Sequence, residues 1–478
     1  MSVQTLPLPL TRQISYAIGQ LGWSILINII GFHQVFFYLP PNGEGLPELI
    51  VKVAFFGIST IGVVSAIGRL WDGVTDPIIA NMSDKWTSKW GRRIPFLATG
   101  GLPAAVFCLL IFTPPQKGIT TGNLIWMTAA LLLFYLFLTI YVTPFFALIP
   151  ELGHTPNERL NLSTFISVTY ALGIMVAAQV PLIAEKLMNA VPGMDKFSGY
   201  QWAIGILCTI AAICMYFPVL AIDEKKYTKS EPSAVPFKEA LMMTFKNKDF
   251  LFFAISDFNY FLSITILTTG LSYYITVLLF QEASLVSEIL PVMLFSSFLC
   301  YPIVNFFAKR FGKKRLVIYG FFIFLLLFIF IYFMGMDSIP IPKVIQAYLI
   351  VIVAGVPMAI LGILPNAILA DIAELDALKT GSRREGLFYA ARTLMQKLGQ
   401  TIGVLIFSSL LLVGGGINKV EKIDPVSGKK VLDREKSTVI GVQITGPVAA
   451  AFCLLAIAMF SRYKEKETLE EIERISNK

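Results

Sequence analysis

Runs of about twenty apolar residues recur along almost the whole chain, and nothing else in the sequence narrows the fold as much. A helix of that length crosses the ~30 Å hydrocarbon core of a bilayer, and inside that core only helices and closed barrels satisfy their own backbone groups. Twelve such runs can be placed, near residues 14–38, 53–82, 95–114, 123–149, 160–184, 200–222, 249–280, 287–308, 316–335, 344–370, 385–413 and 438–461. The second and seventh are long enough to tilt or to project from the membrane. Only 15% of the 478 residues are charged, against about 25% in ordinary soluble domains. The expected fold class is an all-α polytopic membrane protein.

The first ten residues lack the short apolar region and small-residue cleavage site of a secretory signal, so the first run is expected to stay in the protein. All five cysteines fall within apolar runs and show no CxxC spacing, which reads as packing rather than zinc binding or disulfides. Most of the 39 Lys and Arg residues lie in segments that share one side of the membrane if both termini are cytoplasmic. The Lys-rich loop over residues 415–437 falls on the other side, balanced by Glu421, Asp424, Asp433 and Glu435. The net charge of +8 is therefore mostly a topology signal, and no nucleic-acid partner is expected.

One stretch breaks the apolar pattern. Arg69-Leu-Trp-Asp72-Gly-Val-Thr-Asp76-Pro77 puts three charges inside a membrane-length segment, where each costs about 2.5–3.5 kcal/mol on insertion scales. On a helix, Arg69, Asp72 and Asp76 share one face. If the helix leaves the membrane near Asp84, a rise of ~1.5 Å per residue puts Asp76 roughly 12 Å and Asp72 roughly 18 Å inside. Pro77 has no amide to donate, so the Gly73 carbonyl loses its helical partner and becomes an oxygen ligand. Two carboxylates and a carbonyl suit a sodium-type cation or a proton relay. The competing reading is a static Arg69–Asp72 bridge between helices, which leaves Asp76 unexplained.

Other polar residues fall on apolar runs. In the first, Tyr16, Gln20, Trp23 and Ser24 form a stripe that suits either a cavity for a hydroxylated or amphipathic ligand or helix packing, and His33 reads as an interfacial residue. The fourth carries Tyr141 and Thr143, and the seventh Asp257, Asn259, Tyr260 and Thr268, all counted as cavity candidates except Asp257, a possible second charged centre. Gly355, Pro357, Gly362 and Pro365 would let the tenth run bend. In the eleventh, Arg392 and Lys397 are costly cations that either partner the Asp72–Asp76 pair or snorkel.

The chain repeats itself. Gly91-Arg92-Arg93 is echoed by Gly312-Lys313-Lys314, and Pro144 and Glu151 by Pro365 and Asp371, at offsets of 220 or 221 residues. Such echoes mark parallel repeats about an axis along the membrane normal. The expected organisation is a six-helix bundle over 1–222, a cytoplasmic linker over 223–248, a second six-helix bundle over 249–462 and a cytoplasmic tail over 463–478.

These features resemble the major facilitator superfamily. The strings Arg69-x-Trp-Asp72-x-x-x-Asp76-Pro77 and Trp90-Gly91-Arg92-Arg93-x-Pro95 resemble, within it, the glycoside-pentoside-hexuronide cation symporters, as do Thr143-Pro144-Phe145, Asn157-Glu158-Arg159 and Ala370-Asp371-Ile372. The resemblance implies a major facilitator fold of twelve transmembrane helices. It implies that Asp72 and Asp76, helped by Thr139 and with Lys397 nearby, bind Na+, Li+ or a proton. It also implies that Arg159, Asp371, Glu374 and Arg383, beside Asp84, Arg92, Arg93 and Glu151, form a cytoplasmic gate. The sugar site departs from the family's melibiose branch, whose acids fall opposite Ser24 and Val142 and whose arginine falls opposite Ser167.

The expected function is secondary active symport of a sugar, glycoside or related solute with Na+ or H+, by a monomer needing no cofactor, in the plasma or bacterial inner membrane. The alternatives are symport of an amphipathic, lipid-like solute, and a non-transporting sensor on a carrier fold. An enzyme is not expected. Aspartyl dyads unite two elements whereas Asp72 and Asp76 share one, and no GxxxxGK[ST] loop is present for ATP.

Overall fold

In the computed structural model, described residues are 8–41, 44–55, 57–153, 156–227, 247–336, 338–380, 385–413, 421–423, 430–432 and 439–476. The chain divides into two compact units, Met1–Ser233 and Ala234–Lys478.

The first unit comprises α1 (Leu10–Tyr38), α2 (Thr60–Lys85), α3 (Ile94–Ile111), α4 (Thr121–Leu152), α5 (Pro156–Ala177), α6 (Val180–Ala190), α7 (Lys196–Ala221) and the short α8 (Glu224–Tyr227). A hairpin of β1 (Val53–Phe55) and β2 (Ile58–Ser59) precedes α2. The expected second run therefore starts late: Ser59 caps the helix, its hydroxyl accepting from the Gly62 amide at 3.0 Å. The fifth run is not straight, because α5 and α6 meet at a 40° bend. At the end of α5, the Ala177 carbonyl accepts from Nε2 of His33 at 3.0 Å, so His33 is buried rather than interfacial.

The second unit comprises α9 (Lys248–Tyr273, extended by a π-helical turn to Leu278), α10 (Leu285–Phe311), α11 (Lys313–Phe333), α12 (Lys343–Thr380), α13 (Glu385–Leu410), the short α14 (Ile440–Gln443), α15 (Thr445–Phe460) and α16 (Glu465–Ser476). Strands β3 (Glu421–Ile423) and β4 (Lys430–Leu432) pair antiparallel within the Lys-rich loop.

Helices thus occupy all twelve expected positions. Among the described residues nine are long and apolar enough to cross a membrane, and the bent α5–α6 pair makes a tenth. The other two, α2 and α13, are 26 residues each and carry Arg69, Asp72 and Asp76, and Arg392 and Lys397, respectively. The packing order repeats too. In the first unit α1 lies against α5 and α7, α3 against α4 and α7, and α2 against α4; in the second, α9 lies against α13 and α15, α11 against α12 and α15, and α10 against α12.

The segments expected as cytoplasmic linker and tail both begin with packed structure. Glu224 is 2% exposed, and α16 packs on α12 with a Lys379–Glu471 ion pair of 2.7 Å. Linker residues 228–246 lie outside the described residues. The five cysteines are free thiols inside helices.

Candidate functional site

The acidic face of α2 meets a hydroxyl face of α4. Asp72 and Asp76 are four residues apart, as are Thr139 and Thr143, so two helices in contact align them as two rungs. Thr139 Oγ1 donates to Asp72 Oδ1 at 2.7 Å and Thr143 Oγ1 to Asp76 Oδ1 at 3.3 Å. Thr75, on the turn between the acids, donates to the Asp72 carbonyl at 3.1 Å and lies 3.5 Å from the Thr139 hydroxyl. Asp72 is buried and Asp76 half-buried. The result gathers carboxylate, hydroxyl and carbonyl oxygens between the two helices, the donor chemistry hard cations take. Gly73 lies between the acids, and Pro77 inside the helix removes the donor its carbonyl would otherwise meet. Arg69 places its guanidinium 5.4 Å from the ring centroid of Tyr135 on α4, a cation–π arrangement.

Thr143, expected in the solute cavity, therefore belongs to the carboxylate cluster. Tyr141 is a second correction. On the opposite side of α4 from Thr139 and Thr143, it is fully buried, and its hydroxyl donates to the Met215 carbonyl of α7 at 2.8 Å. The stripe on α1 divides. Tyr16 stacks on Phe145 at 4.3 Å and donates to its carbonyl, and Ser24 donates to the Tyr170 carbonyl at 2.8 Å, so both are helix-packing groups. Gln20 and Trp23 differ: Gln20 Oε1 and Trp23 Nε1 are buried with no hydrogen-bond partner among the described residues. Trp23 packs against Phe146 and Tyr170 at 5.8 and 5.6 Å. Buried unsatisfied polar atoms are uncommon and costly unless something else meets them.

In the second unit a cavity of about 330 Å³ is lined by the polar side chains of Tyr260, Asn366, Tyr389, Arg392, Thr393 and Gln396, together with Phe261, Leu361 and Gly362. Its charged wall corrects the assignment of Arg392 to the Asp72–Asp76 pair. Arg392 forks onto Asp257, Nε to Oδ2 at 2.9 Å and Nη2 to Oδ1 at 3.1 Å, with side chains 8% and 2% exposed. Nη1 donates to Asn366 Oδ1, and Gln396 Nε2 donates to Asp257 Oδ2 at 3.3 Å. Asn259 and Thr268 each donate back to a carbonyl of α9, at 2.7 and 2.9 Å, and Asn259 Oδ1 has no partner among the described residues. Lys397 is half-buried on α13. Asn366 and Gln396 were not expected; the signal was there, since Gln396 stands one turn after Arg392 on the same face.

At one end of the first unit, Glu151 gathers Arg92 Nη2 at 3.0 Å and Arg93 Nη2 at 2.7 Å. Glu224 completes the cluster. Its carboxylate accepts from the backbone amides of Arg92 and Arg93 at 2.8 Å each and of Ile94 at 3.1 Å, filling the donor-rich start of α3. Gly91 has φ +107°, and a Cβ there would fall 2.2 Å from Glu224 Oε2. The second unit builds the same device. Glu465 accepts from the amides of Lys313 at 2.8 Å and Lys314 at 3.1 Å, Gly312 has φ +86°, and Lys313 pairs with Asp371. Sequence reasoning found the glycines, the bases, Glu151 and Asp371, but missed Glu224 and Glu465. Their signal was the pair of strings Asp223-Glu224-Lys225 and Lys464-Glu465-Lys466, offset by 241 residues because the second half holds a longer loop before its last helix. Glu374 is exposed on α12. The side chains of Asp84 and Arg159, and all of Arg383, lie outside the described residues.

Two units of repeated helix order, with ionisable groups on their membrane-length helices and matching charged clamps, define a polytopic solute carrier of the major facilitator type. The chain belongs to the MFS/sugar transport protein family, whose model matches residues 15–466. It is 24% identical to the isoprimeverose transporter of Lactiplantibacillus pentosus, over 85% of this chain and 81% of that one. It is 24% identical to the sodium-dependent lysophosphatidylcholine symporter 1 of Xenopus tropicalis, over 84% of this chain and 79% of that one. Among solved structures, a D-xylose–proton symporter superposes with a TM-score of 0.65 at 12% identity, covering 96% and 98% of the two chains. The protein is thus a membrane transporter of symporter and sugar-carrier kinship, not an enzyme.

Proposed function

We propose that the protein carries a sugar or glycoside across the cell membrane by alternating access, driven by Na+, Li+ or a proton bound between α2 and α4. The observation that supports this most is the two-rung cluster of Asp72 with Thr139 and Asp76 with Thr143. A cation seated there neutralises buried carboxylate charge, and a proton does so by converting one carboxylate to an acid. The threonine hydroxyls are donors to the carboxylates in the empty state and turn their lone pairs to a bound metal ion.

The solute is recognised through hydrogen bonds to hydroxyl groups. The second-unit cavity offers a guanidinium, two amides, a threonine and two tyrosines, with aromatic surface for a sugar ring. Because Asp257 already compensates Arg392, the wall is close to neutral and suits an uncharged solute better than an anion. Symport of an amphipathic, lipid-like solute is the second reading, favoured by the kinship with the lysophosphatidylcholine symporter. The clamps at Gly91 and Gly312 face the cytoplasm, with both termini on that side, and hold the inner gate. Each copy contains both halves, so a monomer suffices.

Each monovalent cation entering down a 100 mV potential supplies about 2.3 kcal/mol, enough for roughly fiftyfold accumulation. In proteoliposomes loaded with candidate glycosides, Asp72→Asn and Asp76→Asn should each abolish cation-driven accumulation while leaving some exchange of preloaded solute. Undiminished cation-driven uptake in both variants would remove the assignment.

A further inference from the structure

A second binding surface lies on the outside of the first unit, away from the clustered acids. A groove of about 560 Å³ runs between α3 and α7, formed by Leu102, Ala212, Ile213, Tyr216, Phe217 and Leu220. It is apolar along its length, because Tyr216 turns its hydroxyl inward to the Ala98 carbonyl at 2.8 Å. Its walls are open: Leu220 is 85% exposed and Ile213 59%. From Ala212 to Leu220 the groove follows α7 for about 12 Å at 1.5 Å per residue, close to the depth of one leaflet of a ~30 Å core.

At its clamp-side end the groove changes character without a break. Leu220 and Ala221 also line a polar notch of about 370 Å³ with Arg12, Ile222, Asp223 and Lys226. Two cations there face one acid. Arg12 is pre-oriented, its Nη1 donating to the Ala221 carbonyl at 2.9 Å and its guanidinium 4.9 Å from the centroid of Tyr227. Lys226 lies on the same ring at 5.7 Å.

We propose that groove and notch together bind one anionic phospholipid, the acyl chain along α7 and the phosphate between Arg12 and Lys226. The apolar length matches one leaflet, and the net positive notch closes one end of it, so an acyl chain along α7 would bring its headgroup to basic side chains of the kind that attract anionic lipids. The lipid belongs to the cytoplasmic leaflet, given the orientation proposed above. The headgroup would sit next to α8, whose Glu224 caps the Gly91 loop.

The test titrates the purified, delipidated full-length chain with palmitoyl-oleoyl phosphatidylglycerol or the matching phosphatidylcholine, counting bound lipid by native mass spectrometry. Phosphatidylglycerol should bind more tightly. Lys226→Gln, at an exposed residue, and Arg12→Gln should each weaken it about fivefold, the effect of roughly 1 kcal/mol per cation. Ala212→Phe, which fills the groove and leaves the notch, should weaken both lipids. Equal binding of the two lipids, indifference to all three variants, or displacement of phosphatidylglycerol by glycerol phosphate alone would overturn the proposal. So would a change of oligomeric state in Ala212→Phe without loss of lipid, since the groove would then seat a second copy. None of these readouts depends on transport, so failure here leaves the symport reading standing.

Discussion

Asp257→Leu and Arg392→Met test the buried pair in the second unit. The two side chains are 2% and 8% exposed and meet through bonds of 2.9 and 3.1 Å. Removing either partner leaves a buried charge uncompensated, with the neutral Asn366 and Gln396 amides and the Phe253 ring, its centroid 5.7 Å from the guanidinium, as neighbours. Breaking one side of such a pair costs about 3–5 kcal/mol, whereas replacing both by apolar groups is often near neutral. Each single variant should therefore lose about 3–5 kcal/mol, and the double variant should recover to within about 2 kcal/mol of the parent. The coupling should be several kcal/mol, far beyond the ~0.3–0.5 kcal/mol scatter of independent sites. Denaturant titration in detergent micelles, followed by tryptophan fluorescence, measures all three. Solute exchange provides a second readout, because the double variant would regain stability while losing the cavity's donors. If the single losses simply add, the pair is not a unit and the account of the cavity wall fails.

Four further expectations follow from the geometry. Thr139→Val, which keeps shape and removes the hydroxyl beside Asp72, should raise the cation concentration for half-maximal uptake by at least about tenfold, the effect of roughly 1.5 kcal/mol for one hydrogen bond to a charged group; unchanged cation dependence would contradict the ladder. Gly91→Ala should impair transport, since it combines a left-handed backbone cost of about 1–2 kcal/mol with displacement of the Glu224 carboxylate, and its counterpart Gly312→Ala should do the same; full transport rates in both would remove the clamps from the gate. Tyr141→Phe should lower stability modestly and leave solute affinity unchanged, because its hydroxyl serves the Met215 carbonyl; a shifted solute affinity would return it to the cavity. Asp195 caps α7, and the Ser198 hydroxyl and amide, helped by Lys117, lower its pKa from 3.8 to about 2. A depressed carboxylate stabilises the fold fully above its unfolded pKa and loses that contribution as pH falls from about 4 toward 2. The melting-temperature gap between the parent and Asp195→Ala should close over that window and stay flat near neutrality.

What the sequence revealed, and what it hid, follows from the range of the forces involved. The helices were visible because twenty apolar residues in a row have few other fates in a bilayer. Asp72 and Asp76 were visible because charge in that setting is costly. Side-chain direction was harder to read. Tyr141 and Thr143 differ by two positions, yet point to different neighbours, since two residues turn a helix through about 200°. Tyr16 and Ser24 looked like ligands on a polar stripe because composition cannot distinguish a hydroxyl satisfied by a carbonyl of the next helix from one left open. Arg392 was assigned to the wrong acid for a related reason: cost shows that a partner exists, but only packing names Asp257. The break after Ala177 had a weak signal in Gln179 and Pro181, and apolar periodicity ran past it. Glu224 and Glu465 were lost among the charges of segments read as linker and tail.

Those two glutamates give each half the form of a closed circuit. The chain leaves the last long helix of the half and immediately returns to bolt the start of the third, so the bolt and what it secures are supplied by the same half. A half that carries its own fastening does not need its neighbour to be covalently attached. The polypeptide should tolerate being cut between residues 228 and 246, and the two pieces, made separately in one cell, should reassemble into a working carrier. A first piece ending at Ile222 would lack Glu224 and its fastening, and it should fail where one ending a few residues later succeeds.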